Sequence, residues 1–234
     1  MAAETATRVG VRRDGLVGNR WALVGGIVYL LEWLAILWVG AVGAGAAIVR
    51  GTSERDLLST YAGHADAVGA LAGWLAVVLL GRVLVFVGIR HALVESGHRH
   101  PLTDLAVVAA SVSVTLEVAS YGLATTAATR SAADDRTGVV LADQLGVGLN
   151  LMIGGGLGVA IVCTSYVMWR SGLFSTALCV TGLVSGVAIV GAQLTVSPGL
   201  AAVFDVLYFF PLVFWVWMIW AGVVLWRRTP SHGH

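Results

Sequence analysis

WALVGGIVYLLEWLAILWVGAVGA, residues 21–44, is a run of apolar residues that carries a single ionisable side chain, Glu32. A bilayer's hydrocarbon core is about 30 Å thick and takes about 20 such residues to cross as a helix, so this run reads as a membrane span. Five further runs of the same kind follow, at residues 66–89, 103–126, 144–168, 172–194 and 201–226. Together they account for most of a 234-residue chain that is 58% hydrophobic and 12% charged, with a mean hydropathy of +0.86. Soluble domains are about 45–50% apolar and about 25% charged. The expected fold class is therefore all-α, a polytopic membrane bundle of six transmembrane helices. Its segments are continuously apolar rather than alternating in units of about 10 residues, which argues against a barrel.

The expected organisation is a polar N-terminal segment over residues 1–20, a six-helix domain over 21–228 and a short tail over 229–234. The first hydrophobic run is too long for a cleaved leader and reads as a retained helix. Positive charge stays on the cytoplasmic side of a membrane. Nine arginines (Arg8, Arg12, Arg13, Arg20, Arg90, Arg99, Arg170, Arg227 and Arg228) fall on the side of the termini, against Arg50, Arg55, Arg130 and Arg136 on the other. Both termini are thus expected in the cytoplasm, in a multi-pass protein of the cell membrane. The longest external connections are expected over residues 45–64 and 129–143 as solvated loops. Gly154 and Gly158, spaced four apart in the fourth helix, are expected to let a neighbouring backbone approach closely.

Composition excludes several chemistries. All fourteen basic residues are Arg, which removes lysine Schiff bases, pyridoxal chemistry and lysine general bases. A net charge of +1 offers no clustered basic surface for nucleic acid. Cys163 and Cys179 both lie in apolar runs and read as packing residues. His91, His98 and His100 are spaced seven and two apart, which fits no zinc motif. No nucleophile elbow, zinc-protease motif or phosphate-binding loop occurs, and neither metal nor cofactor is expected.

Four ionisable residues stand inside the spans: Glu32, Arg82, Glu117 and Asp205. Each costs at least about 2.5–3.5 kcal/mol in hydrocarbon, so each is expected to face the bundle interior, a partner or a water-filled cavity. Glu32 sits too deep for a short carboxylate to reach the interface, and desolvation favours its neutral acid, a proton donor. Glu117 shares a helix face with Ser113 and Tyr121. Arg82 is within reach of Glu32 or Glu117, and pairing with either would hold that carboxylate ionised. Asn150, Gln193 and Asp205 fall at similar depths, suggesting a polar-tipped cavity in the outer half of the bundle. The last helix is dense in aromatic rings, including Tyr208, Phe209 and Trp215, and Pro211 is expected to kink it beside Asp205. Blander roles fit the same residues: an Arg–Glu pair that locks helices together, an interfacial cap at Asp205, and rings that fill a membrane interface.

The stretch Gly26 to Trp33, with Tyr166 to Gly172, resembles an actinobacterial six-helix membrane family of unknown function. The chain is also similar to small integral-membrane terpene cyclases of meroterpenoid and indole-sesquiterpenoid pathways. That resemblance implies an acid on an early helix and another on the last, places held here by Glu32 and Asp205. The sequence departs from it in having six spans rather than seven and an additional acid, Glu117. It implies acid-initiated, class II-type cyclisation of a prenylated or epoxy-prenylated lipophilic small molecule, a route that needs a desolvated carboxylic acid and the exclusion of water. Glu32 or Asp205 would donate the proton, Glu117 would act as final base or tune the donor, and Arg82 would tune it too. Tyr29, Trp33, Tyr121, Asn150, Gln193, Tyr208, Phe209 and Trp215 would line the cavity. Two other classes use the same acids: a proton-coupled small-molecule transporter, and a non-catalytic membrane partner. Substrate and oligomeric state stay open.

Overall fold

A computed structural model of the chain describes residues 16–41, 53–207 and 209–229. Among these residues it is all-helical, with no strand. Six segments are long and apolar enough to span a bilayer, in the order expected: Trp21–Trp38, Ala65–Glu95, Pro101–Ala132, Arg136–Ser171, Thr176–Leu194 and Ala201–Arg227. The chain is therefore a multi-pass membrane bundle.

Three of the spans are interrupted. The first is built from α1 (Trp21–Leu30) and α2 (Glu32–Ala41), parted at Leu31. After α3 (Glu54–Tyr61), the second span joins α4 (Ala65–Val78) to α5 (Leu80–Glu95) through Leu79. The third and fourth spans are the uninterrupted helices α6 (Pro101–Ala132) and α7 (Arg136–Ser171), and the fifth is α8 (Thr176–Leu194). The sixth divides into α9 (Ala201–Leu207) and α10 (Phe210–Arg227). Pro211, in the first turn of α10, has no N–H to give, and the turn at Phe209 precedes it, while Tyr208 lies outside the described residues.

Local chemistry sets the ends. Ser53 caps α3 by accepting from the Asp56 N–H at 3.2 Å, and the Asp135 carboxylate caps α7 by accepting from the Gly138 N–H at 2.9 Å, each satisfying an orphan donor of a first turn. Gly172 stops α7 at φ +66°, a left-handed conformation that a side chain would strain.

The connection expected as a loop over 129–143 is mostly helical, and so are the described residues 53–64 of the other. Residues 54–61 form α3, and only residues 133–135 separate α6 from α7. The polar residues around 129–143 include the last turn of α6 and the first two turns of α7. Residues 42–52 lie outside the described residues.

Packing sets α1 against α5 and α10, α6 against α7, and α8 against α7 and α10. Close approach of α1 to α5 depends on facing glycines: a Cβ on Gly25 would stand 2.6 Å from the Gly81 carbonyl oxygen. The expected close approach in the fourth span is present, with Gly158 against the backbone of Gly186 in α8. Val85, Phe86, Ile89, Met168, Phe214 and Trp217 fill the core, while Leu37, Val77, Val108, Leu145, Val184 and Val216 face outward. An apolar exterior of this kind is stable only against lipid. At one end of the bundle the Asn19 N–H donates to the Leu225 carbonyl at 3.2 Å, the Val17 N–H donates to the Ser96 hydroxyl at 2.8 Å, and the Arg20 guanidinium covers the Trp226 ring at 5.4 Å. Residues 16–20 are thus packed onto the bundle, and both ends of the described chain lie on the same side.

Candidate functional site

Two helix irregularities shape the interior. At Leu31 the ladder tightens: the Leu31 N–H donates to the Val28 carbonyl at 3.1 Å and the Leu34 N–H to the Leu31 carbonyl at 3.2 Å. The Leu31 oxygen also accepts from the Trp74 indole N–H at 3.0 Å, which ties α4 to the break. Across from it, the Arg82 N–H donates to the Leu79 carbonyl at 3.0 Å, another three-residue step. Short tightened turns of this type recur at hinges and functional sites. Each stands beside an ionisable residue, Glu32 following one and Arg82 the other.

Glu32, Arg82 and Glu117 are all buried and come together. Arg82 extends Nη1 to the Ser113 hydroxyl at 3.0 Å and Nη2 to the Tyr29 hydroxyl oxygen at 2.8 Å, and the same Nη2 lies 2.6 Å from Glu117 Oε2. Its guanidinium also sits 4.6 Å above the Tyr29 ring, an added cation–π attraction. The Tyr29 oxygen accepts a second N–H from Trp215 Nε1 at 3.3 Å. The Tyr29 oxygen thus takes two N–H donors, and Glu32 stands one turn further along the same span. Four spans contribute, through α1 and α2, α5, α6 and α10. Glu117 falls at the centre of α6 and Arg82 two residues past the centre of the span Ala65–Glu95, about 3 Å along the axis.

Charge does not balance here. One guanidinium faces two carboxyl groups, and it is Glu117 that forms the ion pair. Of the two pairings open to Arg82 from the sequence, the structure realises this one. Among the described residues Glu32 has no cation within ion-pair distance. Arg82 Nε, also buried, has no acceptor.

Not every expected residue joins. Trp33 meets the site through Trp215, edge to face at 4.9 Å between centroids. Tyr121 is half-buried and packs against the core. Asp205 stands exposed on α9, a helix with no buried residue. Phe209, beside the break, is 69% exposed and lines nothing internal. Tyr208 lies outside the described residues. Gln193 accepts from the Gly155 N–H at 3.1 Å, which makes it a packing contact between α8 and α7. Asn150 is half-buried on α7; the register that sets Gly146 against Ser120 and Gly156 against Ala109 brings it level with Glu117, with no hydrogen bond between them. The buried polar cluster is therefore built from Glu32, Arg82 and Glu117, without Asn150, Gln193 or Asp205.

One buried pair escaped the sequence reading. The Tyr61 hydroxyl donates to Asp143 Oδ1 at 2.9 Å, beneath α3 and beside a small apolar cluster of Leu57, Val68, Ala127 and Val139. Burial, together with the negative charge of Asp143, pushes the Tyr61 hydroxyl well above its ordinary value. The spacing of Val139, Ala142 and Gly146 with Asp143 was the available signal, since these positions share one helix face. Trp74 was likewise invisible, its role being to bond a carbonyl far away in sequence.

Comparison with known proteins finds no matching family model, no similar curated protein and no similar solved structure.

Proposed function

We propose that this chain is an integral-membrane enzyme that cyclises a lipophilic, prenylated or epoxy-prenylated substrate, with Glu32 as the proton donor. The observation that supports this reading is the uneven charge of the central cluster. Arg82 is taken by Glu117, so Glu32, buried with no cation within ion-pair distance, is most cheaply kept as the neutral acid. A carboxylic acid shielded from water is the donor that such chemistry requires. In the proposed step the Glu32 proton passes to a terminal alkene carbon or an epoxide oxygen. The next double bond attacks the resulting cationic carbon to close a ring. Loss of a proton from a neighbouring carbon to the Glu32 carboxylate then restores both an alkene and the acid, so substrate and product have the same mass. Tyr29, Trp33 and Trp215 offer aromatic faces on which positive charge is stabilised by about 0.5–2 kcal/mol each. Glu117, tied to Arg82, holds the guanidinium in place. The resemblance to membrane cyclases supports the same reading, with the acid on the last span left out.

The test is incubation of the purified protein in lipid nanodiscs with farnesylated and epoxy-farnesylated acceptors, followed by separation of isomeric products. Glu32→Gln is expected to lower turnover at least 100-fold with the fold unchanged; full turnover in that variant overturns the proposal. A second reading, a proton-coupled transporter, is favoured by the paired breaks at Leu31 and Leu79, since interrupted helices flank the sites of many carriers. Proton-driven flux into proteoliposomes with no isomeric product would select it.

A further inference from the structure

Ala22, Gly25, Gly26 and Tyr29 set the buried side of α1. At about 100° per residue, an unbroken α-helix continued past Tyr29 would carry Trp33 about 30° and Glu32 about 70° from the midline of that side. Trp33 would then point inward and Glu32 would stand at the edge, toward lipid. The structure has them the other way round: Glu32 is 5% exposed and Trp33 is 37% exposed. Between Tyr29 and Glu32 lies the tightened turn. Leu31 has ψ −10°, against about −42° in a regular helix, and its N–H reaches only three residues back, to Val28. Three residues per turn is about 120° per residue, so each residue wound in this way adds about 20°. The added winding carries Glu32 toward the buried side and Trp33 away from it.

Nothing local asks for this turn, since Leu30 and Leu31 are both good helix formers. What marks the position is a side chain from another span. The Trp74 indole N–H donates to the Leu31 carbonyl at 3.0 Å, beside the Leu34 N–H at 3.2 Å. Trp74 is 42% exposed, and lipid offers its N–H no acceptor and the carbonyl no competing donor. We infer that Trp74 is a positioning residue for Glu32: its hydrogen bond to Leu31 holds the overwound turn that points the acid, and not the Trp33 ring, into the bundle. The consequence for turnover rests on the proposed function above; the orientation of the acid does not. The second span thereby grips the first at two points, Arg82 on Tyr29 and Trp74 on Leu31, and the acid follows directly after the second.

The experiment compares the full-length protein in lipid nanodiscs with Trp74→Phe, and with a chain carrying benzothienylalanine at residue 74, which keeps the bicyclic ring but lacks the N–H. Dicyclohexylcarbodiimide, a lipid-soluble reagent, adds to protonated carboxyls that face hydrocarbon, and mass spectrometry maps the N-acylurea formed. Both variants are expected to label at Glu32 several-fold faster than the parent. Their kcat is expected to fall about tenfold or more, with KM and the melting temperature little changed, as a misaimed catalytic group predicts. Labelling of Glu32 that stays at the parent's level in both variants overturns the inference, whatever the turnover. Raised labelling in a protein whose turnover does not depend on Glu32 sinks the cyclase reading and leaves the role of Trp74 standing. Glu32-dependent turnover that both variants keep, with labelling unchanged, does the reverse.

Discussion

Arg82 is the residue on which the interior turns, because three hydrogen-bonding or ionic partners from two other spans meet its guanidinium. Removing one member of a buried ion pair leaves a charge uncompensated and typically costs about 3–5 kcal/mol. Glu117→Gln is therefore expected to destabilise the protein by about that much in denaturant titrations in detergent. Replacing the pair together, Arg82→Met with Glu117→Leu, removes both charges and is expected to restore most of the lost stability. If the double variant remains as unstable as the single one, the ion pair is not the source of the effect. Turnover should stay low in the double variant, because Tyr29, one turn from Glu32, then loses its bond to the guanidinium. The sequence made this cluster partly legible: Glu32, Arg82 and Glu117 are conspicuous as charges in apolar runs, and Ser113 lies one turn from Glu117. Which carboxylate takes the guanidinium was not legible, since that depends on how α1 and α5 are rotated when Gly25 meets Gly81.

At the level of elements, the spans were readable because hydrocarbon imposes length and apolarity on each helix separately. The breaks and ends were not, apart from the one at Pro211. Leu31 and Leu79 are ordinary helix formers, and the tightening there is fixed by contacts from elsewhere, Trp74 in the first case. The same limit applies to α3 and its clasp on α7 through Tyr61 and Asp143. This clasp has an alkaline signature. The folded protein keeps the Tyr61 proton at a pH where the unfolded chain has released it, so the native state binds more protons and stability falls as pH rises above about 10. Tyr61→Phe is expected to cost about 1–3 kcal/mol at neutral pH, through loss of the bond to Asp143, and to flatten the decline between about pH 10 and 11. Thermal melts across that range check both; an unchanged alkaline slope in Tyr61→Phe would assign the decline to other groups.

For the whole molecule, the contacts of Val17, Asn19 and Arg20 with Ser96, Leu225 and Trp226 place both ends of the described chain on one face of the membrane. That face carries Arg20, Arg90, Arg99, Arg170, Arg227 and Arg228, and is expected to be cytoplasmic. The two native cysteines are buried, so single-cysteine labelling has little background. Ala133→Cys, between α6 and α7, should react with an impermeant maleimide in intact cells, and Thr229→Cys only after permeabilisation; the opposite pattern would invert the protein. The helices α6 and α7, of 32 and 36 residues, measure about 48 and 54 Å. A 30 Å oil layer leaves the tip of that pair, with Arg130 and Arg136, standing as a post in water. In a thicker membrane the post would have to lean or drag its charges toward oil, at a fraction of a kcal/mol for each ångström of mismatch. The cost of a thicker bilayer thus falls first on the two longest helices.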